Sequence, residues 1–243
     1  MRVVMGLSLT ATSAVWALVD TKDGAILADE VVALDSVNEI ARATARSVQA
    51  FALQSDRDID GIRMTWTDDG RGNVALTVAF PSPVPLAPIT LLPLRVGTVV
   101  IDALNDSRLS LKWPNDVLLE GGKVAGILVE SNGDAIFVGI GVNVASAPAV
   151  PSAGPDRGRR AAKIPGDAVA IAQSIADGLG IWSESVDDAA RVITDWSARA
   201  DWAADLELRE TGELVKPVRL LPDGRLRVRG AGGERALVAD YLL

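Results

Sequence analysis

The sequence predicts an α+β fold, and three features point to it. Short Val-, Ile- and Leu-rich runs separated by Gly-, Asn- and Asp-containing turns recur along the chain, which is hairpin spacing. In a few separate stretches the apolar period changes from two to 3.6, the helical value. From Leu214 onward only short strand-like runs and turns remain.

Residues 2–9 and 14–20 read as strands joined by the small polar stretch Thr10 to Ser13, and 25–33 as a third strand after the Lys22-Asp23-Gly24 turn. Ser36 followed by Glu39 is a capping-box pattern. It opens a helix with Val37, Ile40, Ala41, Thr44, Val48 and Phe51 on one face, ending near Gln54. Beyond the charged loop 55–60, strands are expected at 62–67 and 74–80 around Asp68-Asp69-Gly70. The proline-dense segment 81–88 closes that unit. Pro93 suits the first turn of a helix running to about Leu104, because that position has no helical hydrogen bond to lose.

A strand-rich block follows at 109–113, 117–120, 123–131 and 135–144, with hairpin-type turns at Gly121-Gly122 and Asn132-Gly133-Asp134. Residues 145–166 read as a long loop. Helices are expected near 168–179 and 187–204, the latter with Val192, Ile193, Trp196 and Ala200 on one side. Strands at 214–221, 225–229 and 234–238 make a small all-β module, which needs docking or barrel closure to be stable.

Composition narrows the chemistry. The chain has 243 residues, 49% apolar and 23% charged, ordinary for one or two globular domains. It contains no His and no Cys. Ser-His-Asp and Cys-His catalysis, His/Cys zinc sites and disulfides within this chain are therefore excluded. The net charge of -8 argues against general affinity for nucleic acid or anionic lipid. The apolar start is cut by Asp20 and uses Val and Thr where a signal helix would use Leu, so a cytoplasmic protein without membrane attachment is expected.

The informative segment runs Lys112-Trp113-Pro114-Asn115-Asp116, then Gly121-Gly122-Lys123-Val124-Ala125-Gly126-Ile127-Leu128-Val129-Glu130, then Gly139-Ile140-Gly141-Val142-Asn143-Val144. Pro114 cannot donate to a ladder, so it ends a strand and leaves Asn115 and Asp116 in a loop. Strand alternation puts Lys123, Ala125, Ile127 and Val129 on one face and Gly126 on the other, with bare backbone open to close approach. Gly139 and Gly141 repeat that feature beside Asn143. An ammonium, amides and bare backbone around one sheet region suit an anionic, phosphate-bearing ligand. Lys123 would neutralise charge developing at a phosphoryl group, with Asn115 and Asn143 orienting the phosphates. The alternative is structural: a lysine at a hairpin end, a polar turn and glycines relieving a twisted sheet.

In order and spacing these pieces resemble the central motifs of biotin-protein ligases, K-W-P-N-D, G-K-[LV]-x-G-[IL]-L-x-E and G-[IV]-G-[IL]-N-[VL]. Residues 66–80 are similar to the family's W-x-x-p-x-G-N-L strand entry, and the tail from Asp223 to its small C-terminal barrel. The resemblance implies a class II synthetase/biotin-ligase-like mixed sheet flanked by helices in residues 1–204, of which 1–65 are atypical. A small SH3-like β-barrel would occupy 205–243. It implies a two-step reaction, in which ATP activates biotin as biotinoyl-AMP and a lysine of a biotin carboxyl carrier protein domain accepts it. ATP, Mg and biotin are the implied cofactor and substrates, and a homodimer is compatible.

Carried over residue by residue, Lys123 is the catalytic lysine, contacting biotin carboxylate and α-phosphate, while Gly126 and Leu128 line the biotin pocket. Asn115 and Asn143 would hold the nucleotide and its Mg ion, Lys112 and Asp116 fall to the ATP site, and Trp66 packs by the adenine. Ser36 and Asn38 stand where the family's S-T-N motif meets the biotin ring; a plain helix cap explains them equally.

One departure is marked. The family's G-R-G-R-x-G-R loop, which covers the adenylate, is replaced by the stretch Asp56 to Thr65, with Asp58 and Asp60 of the wrong sign. A site without its lid should leak a reactive adenylate. Arg71 and the run Arg157-Gly158-Arg159-Arg160 are the substitutes available. This leaves a non-catalytic or weakened biotin/adenylate-binding relative as the alternative reading, with a lipoate-protein ligase third. The first 35 residues resemble the opening of actin- and sugar-kinase-like domains, but Ser8 replaces the metal-binding acid and Ala11 a glycine, which argues against phosphotransfer there.

Overall fold

Alternation and hairpin turns build three antiparallel sheets, and helical periodicity supplies the layer behind the largest. The computed structural model describes residues 3–9, 13–20, 26–33, 62–64, 72–81, 88–131, 135–149, 160–183, 188–208 and 211–239. Strands β1 (Val3–Leu9), β2 (Ser13–Asp20) and β3 (Ile26–Ala33) form the expected meander. The capping-box helix expected at 36–54 lies outside the described residues.

The central sheet contains β4 (Ile62–Met64), β5 (Val74–Pro81), β6 (Leu109–Lys112), β7 (Asp116–Leu119), β8 (Gly122–Ser131) and β9 (Ala135–Val142). Its order is β4-β5-β9-β8-β7-β6, and β1 lies beside β4. The expectation of a mixed sheet needs correction. Every ladder among the described residues is antiparallel, and parallel pairing is limited to two single bridges, Leu111 with Ala200 and Lys123 with Ala161. Tight hairpins join most neighbours, and such connections enforce antiparallel pairing.

One face of this sheet carries Val74, Leu76, Val117, Ala125, Ile127, Val138, Ile140 and Val142, all buried. Against it pack α1 (Leu92–Leu104) and α2 (Ala168–Ser183), with α3 (Ala189–Ser197) behind α1. Pro93 sits in the first turn of α1, as expected, and Asn105 ends the helix with φ 47°. The α1 surface is buried almost all round, from Leu92 to Ile101.

The helix expected at 187–204 stops at Ser197 because the chain then joins the sheet edge. The Leu111 N–H donates to the Arg199 carbonyl, and the Asp201 N–H to the Leu111 carbonyl, each at 2.8 Å. Trp202 meets Trp196 edge to face, with centroids 5.9 Å apart.

The third sheet, β10 (Leu206–Glu207), β11 (Leu214–Leu220), β12 (Leu226–Gly230) and β13 (Gly233–Leu237), is a four-stranded meander in sequence order. Val215, Leu220, Leu226 and Val228 join the same core as the central sheet. No helix among the described residues is long and apolar enough to cross a membrane.

Candidate active site

The three motifs predicted to carry chemistry meet on the sheet face turned away from α1 and α2. Cross-strand partners share a face. Lys112 stands opposite Asp116, Asp116 opposite Gly126, Gly126 opposite Gly141 and Gly141 opposite Ala75, so one row crosses β6, β7, β8, β9 and β5. Leu128 and Gly139 form the next row of that face. Among the described residues a Cβ built on Gly141 would meet nothing within 4 Å, and Gly141 is exposed, so its backbone is accessible to a ligand.

Lys123 corrects the sequence reading. Simple alternation placed it with Ala125 and opposite in face to Gly126. In the β7–β8 ladder, however, Val117 pairs with Ala125 while Leu118 pairs with Lys123, so Val124 is an extra, bulged residue. A bulge shifts the alternation by one position. Lys123 consequently shares the face of Leu118, Asp116 and Gly126. A Cβ on Gly126 would lie 3.0 Å from Lys123 Cε and 3.1 Å from Nζ. Lys123 Nζ reaches Asp116 Oδ1 at 2.6 Å, with 44% of the lysine side chain exposed and 10% of the aspartate. The approach is an ion pair without hydrogen-bond alignment, and Oδ1 is buried with no hydrogen-bond partner.

Both asparagines brace this arrangement. Asn115 Nδ2 donates to the Ile127 carbonyl at 2.7 Å, and the Ile127 N–H returns a bond to the Asn115 carbonyl at 3.0 Å. Asn143 Nδ2 donates to the Lys123 carbonyl at 3.3 Å and the Ala162 carbonyl at 3.0 Å, while its backbone N–H donates to the carbonyl of the bulged Val124 at 2.8 Å. The Lys123 backbone is thus held on both sides. Its N–H donates to the Arg160 carbonyl at 2.9 Å, and the Ala162 N–H donates to its carbonyl at 2.9 Å.

In that parallel bridge Ala161 shares the lysine's side, which turns Arg160 and Ala162 to the other. Ala162 packs there over Gly122, whose absent Cβ would stand 2.8 Å from the alanine's. The basic run therefore ends beside Lys123 in backbone, but the Arg160 side chain leaves from the far side. Ser36, Asn38, Trp66, Arg71 and Arg157 to Arg159 lie outside the described residues.

Sequence reasoning missed the contribution of the C-terminal sheet. The Trp113 indole N–H donates to the Gly224 carbonyl at 3.1 Å, and Thr90 Oγ1 donates to the Asp223 carbonyl at 2.6 Å. The Pro222-Asp223-Gly224 turn was legible as a turn. Nothing local in the sequence signals that it seats on the turn from Trp113 to Asn115, after which Asp116, expected in a loop, already pairs in β7. No cluster of three acidic, His or Cys groups able to hold a metal occurs among the described residues.

Comparison with known proteins supplies the family. A biotin--[acetyl-CoA-carboxylase] ligase of Paracoccus denitrificans is 66% identical over 47 residues, covering 17% of this chain and 20% of that protein. A protein of the same description from Mycobacterium tuberculosis is 38% identical over 90 residues, 34% of each chain. The chain thus matches about a fifth to a third of these relatives' length. The crystal structure of biotin protein ligase from Leishmania major in complex with biotin superposes with a TM-score of 0.58 at 25% identity, covering 82% of this chain and 95% of that one. The family model for the biotin/lipoate A/B protein ligases matches residues 10–145, more than half of the 243 residues. By motif order, by fold and by that match, the chain belongs to the biotin/lipoate A/B protein ligase family.

Proposed function

We propose that this protein attaches biotin to a lysine of a biotin carboxyl carrier domain in two ATP-dependent steps. The observation that carries the reading is the bulge-directed Lys123, set over Gly126 and beside Asp116 at an open stretch of sheet backbone. In the first step a biotin carboxylate oxygen bonds to the α-phosphorus of ATP and the bond to the leaving pyrophosphate breaks. Negative charge gathers on the phosphoryl oxygens, and the fixed Lys123 ammonium opposes it. In the second step the acceptor amine bonds to the acyl carbon, AMP leaves with the electron pair of the acyl–oxygen bond, and the amine sheds a proton. No imidazole or thiol is needed, in keeping with a chain that has neither.

Asp116 fixes the lysine's position, and Gly126, Gly141 and Leu128 offer the surface for the biotin moiety. Asn143 spends both amide N–H groups on backbone carbonyls, so it meets the nucleotide through Oδ1, whereas Asn115 spends one and meets it through Oδ1 or the other N–H. Lys112 adds a second cation to the row. A bound magnesium ion would screen the phosphate charge, and Asp116 is the carboxylate of this row that would share in holding it. Residues 1–204 act as the catalytic unit, and 205–243 as a small SH3-like module seated on the turn after β6.

A second reading, a relative that binds without transferring, is favoured by Asp58 and Asp60 at the place of the family's arginine-rich cover. Biotin-dependent exchange of pyrophosphate into ATP separates the two. The proposal expects exchange in the wild type and its loss, by at least about a hundredfold, in Lys123→Ala, as for removal of a major charge-stabilising group. Biotin binding without any exchange would establish the second reading.

A further inference from the structure

The C-terminal sheet pairs its cations almost completely. Lys216 meets Asp205 at 3.0 Å, Arg225 meets Asp223 at 2.7 Å, Arg229 meets Glu234 at 2.6 Å, and Arg235 meets Glu213. Among the described residues of this sheet, Arg219 and Arg227 alone form no ion pair. They stand directly opposite each other in the β11–β12 ladder, and Arg227 Nε is buried without a hydrogen-bond partner. Two like charges in that position repel, so the pairing costs the fold stability.

A bulge creates it. Pro217 pairs with Val228 and Arg219 with Arg227, which leaves Val218 out of the ladder and slides the second arginine into register with the first. The nearby carboxylate is Glu234. Its carboxyl is held below the ordinary value first by the hydrogen bond from Arg229, then by the fields of Arg229, Arg227 and Arg219. Three guanidiniums thus act on one carboxylate, an excess of positive charge on a protein of net charge -8.

The same strand exposes apolar surface, with Leu214 63% and Val218 37% accessible. Val218, the neighbour of Arg219, adds apolar surface to the arginine pair, and arginine is enriched at protein interfaces. Position matters as well. Arg227 follows by three residues, roughly 10 Å of extended chain, the Gly224 whose carbonyl receives the Trp113 indole N–H.

We propose that Arg219, Arg227 and Val218 form the docking surface for an acidic face of the protein substrate that presents the acceptor lysine. The proposal rests on the ligase reading above. An intermolecular carboxylate pair supplies the counter-charge that the fold withholds, on the sheet whose Gly224 turn seats against Trp113.

The test is charge reversal at both positions, R219E with R227E, using an unbiotinylated biotin carboxyl carrier domain as probe. The expected result is a KM for the carrier domain raised about tenfold or more with kcat little changed, and biotin-dependent pyrophosphate exchange, which needs no acceptor, within about twofold of wild type. Added salt should raise the wild-type KM and leave that of the variant nearly flat, and R219K with R227K should behave as wild type. An unchanged carrier KM with exchange intact would overturn the docking surface. So would an equal loss of exchange, which would mark the pair as structural, or a shift of the protein alone from dimer to monomer on reversal. Absence of exchange in the wild type overturns the ligase reading instead, a separate outcome.

Discussion

A methyl group on Gly126 would compete with the Lys123 ammonium for the space beside Asp116, since the built Cβ stands 3.0 Å from Cε and 3.1 Å from Nζ. The obstacle is the free end of a flexible side chain, so the backbone need not move. Gly126→Ala is therefore expected to change folding stability by less than about 1 kcal/mol while lowering exchange about tenfold or more, the equivalent of about 1.4 kcal/mol in the barrier. Thermal unfolding measured beside exchange checks both halves; a variant that loses stability and activity in proportion would refute it.

A second residue-scale effect concerns pH. The Asp106 carboxyl is lowered from 3.8 to about 2, chiefly by the hydrogen bonds from the Arg108 side chain and then from its backbone N–H. A depressed carboxyl stabilises the folded state above its ordinary value, and that contribution fades as pH falls from about 3.8 towards 2. An NMR titration should find the Asp106 carboxyl still ionised at pH 3, and Asp106→Asn should remove this part of the acid dependence.

At the scale of elements, two bulges re-aim two cations. One extra residue, Val124, turns Lys123 onto the Gly126 face, and another, Val218, sets Arg219 against Arg227. Neither is visible in the hydrophobic pattern, because Val124 and Val218 look like ordinary strand residues. Their effect arises from pairing with a partner strand whose length does not match.

The Pro222-Asp223-Gly224 turn illustrates the same limit. Gly224 has φ 79°, and a Cβ there would stand 3.1 Å from the Thr90 carbonyl oxygen and 3.1 Å from Leu91 Cδ2. Gly224→Ala should cost about 1–2 kcal/mol from the left-handed backbone, with steric contact adding to it. Trp113→Phe removes the indole donor but keeps most of the ring, and should cost about 1 kcal/mol. Urea unfolding midpoints would report both, and exchange should fall more than stability if the seat positions the turn from Trp113 to Asn115.

For the whole molecule, Val215, Leu220, Leu226 and Val228 share one core with α1, α2 and the central sheet. The C-terminal sheet is therefore a docked layer and not an independently stable body, as a short meander requires. Unfolding followed by tryptophan fluorescence and by far-ultraviolet circular dichroism should give coincident midpoints, whereas two separated transitions would show that the module melts alone.

The strands from Val3 to Ala33, the helix opened by Pro93, the hairpins from Leu109 to Val142 and the three main C-terminal strands were all legible in the chain. Their signals are local: alternation, turn residues and a proline that only a first helical turn accepts. The motif residues Lys123, Asn115, Asp116 and Asn143 were legible for the same reason, as types in a fixed order. Long-range pairing alone decided which way they face. Register, bulges and the seat of Gly224 depend on partners tens of residues away, and a sheet strand takes its facing from the strand beside it.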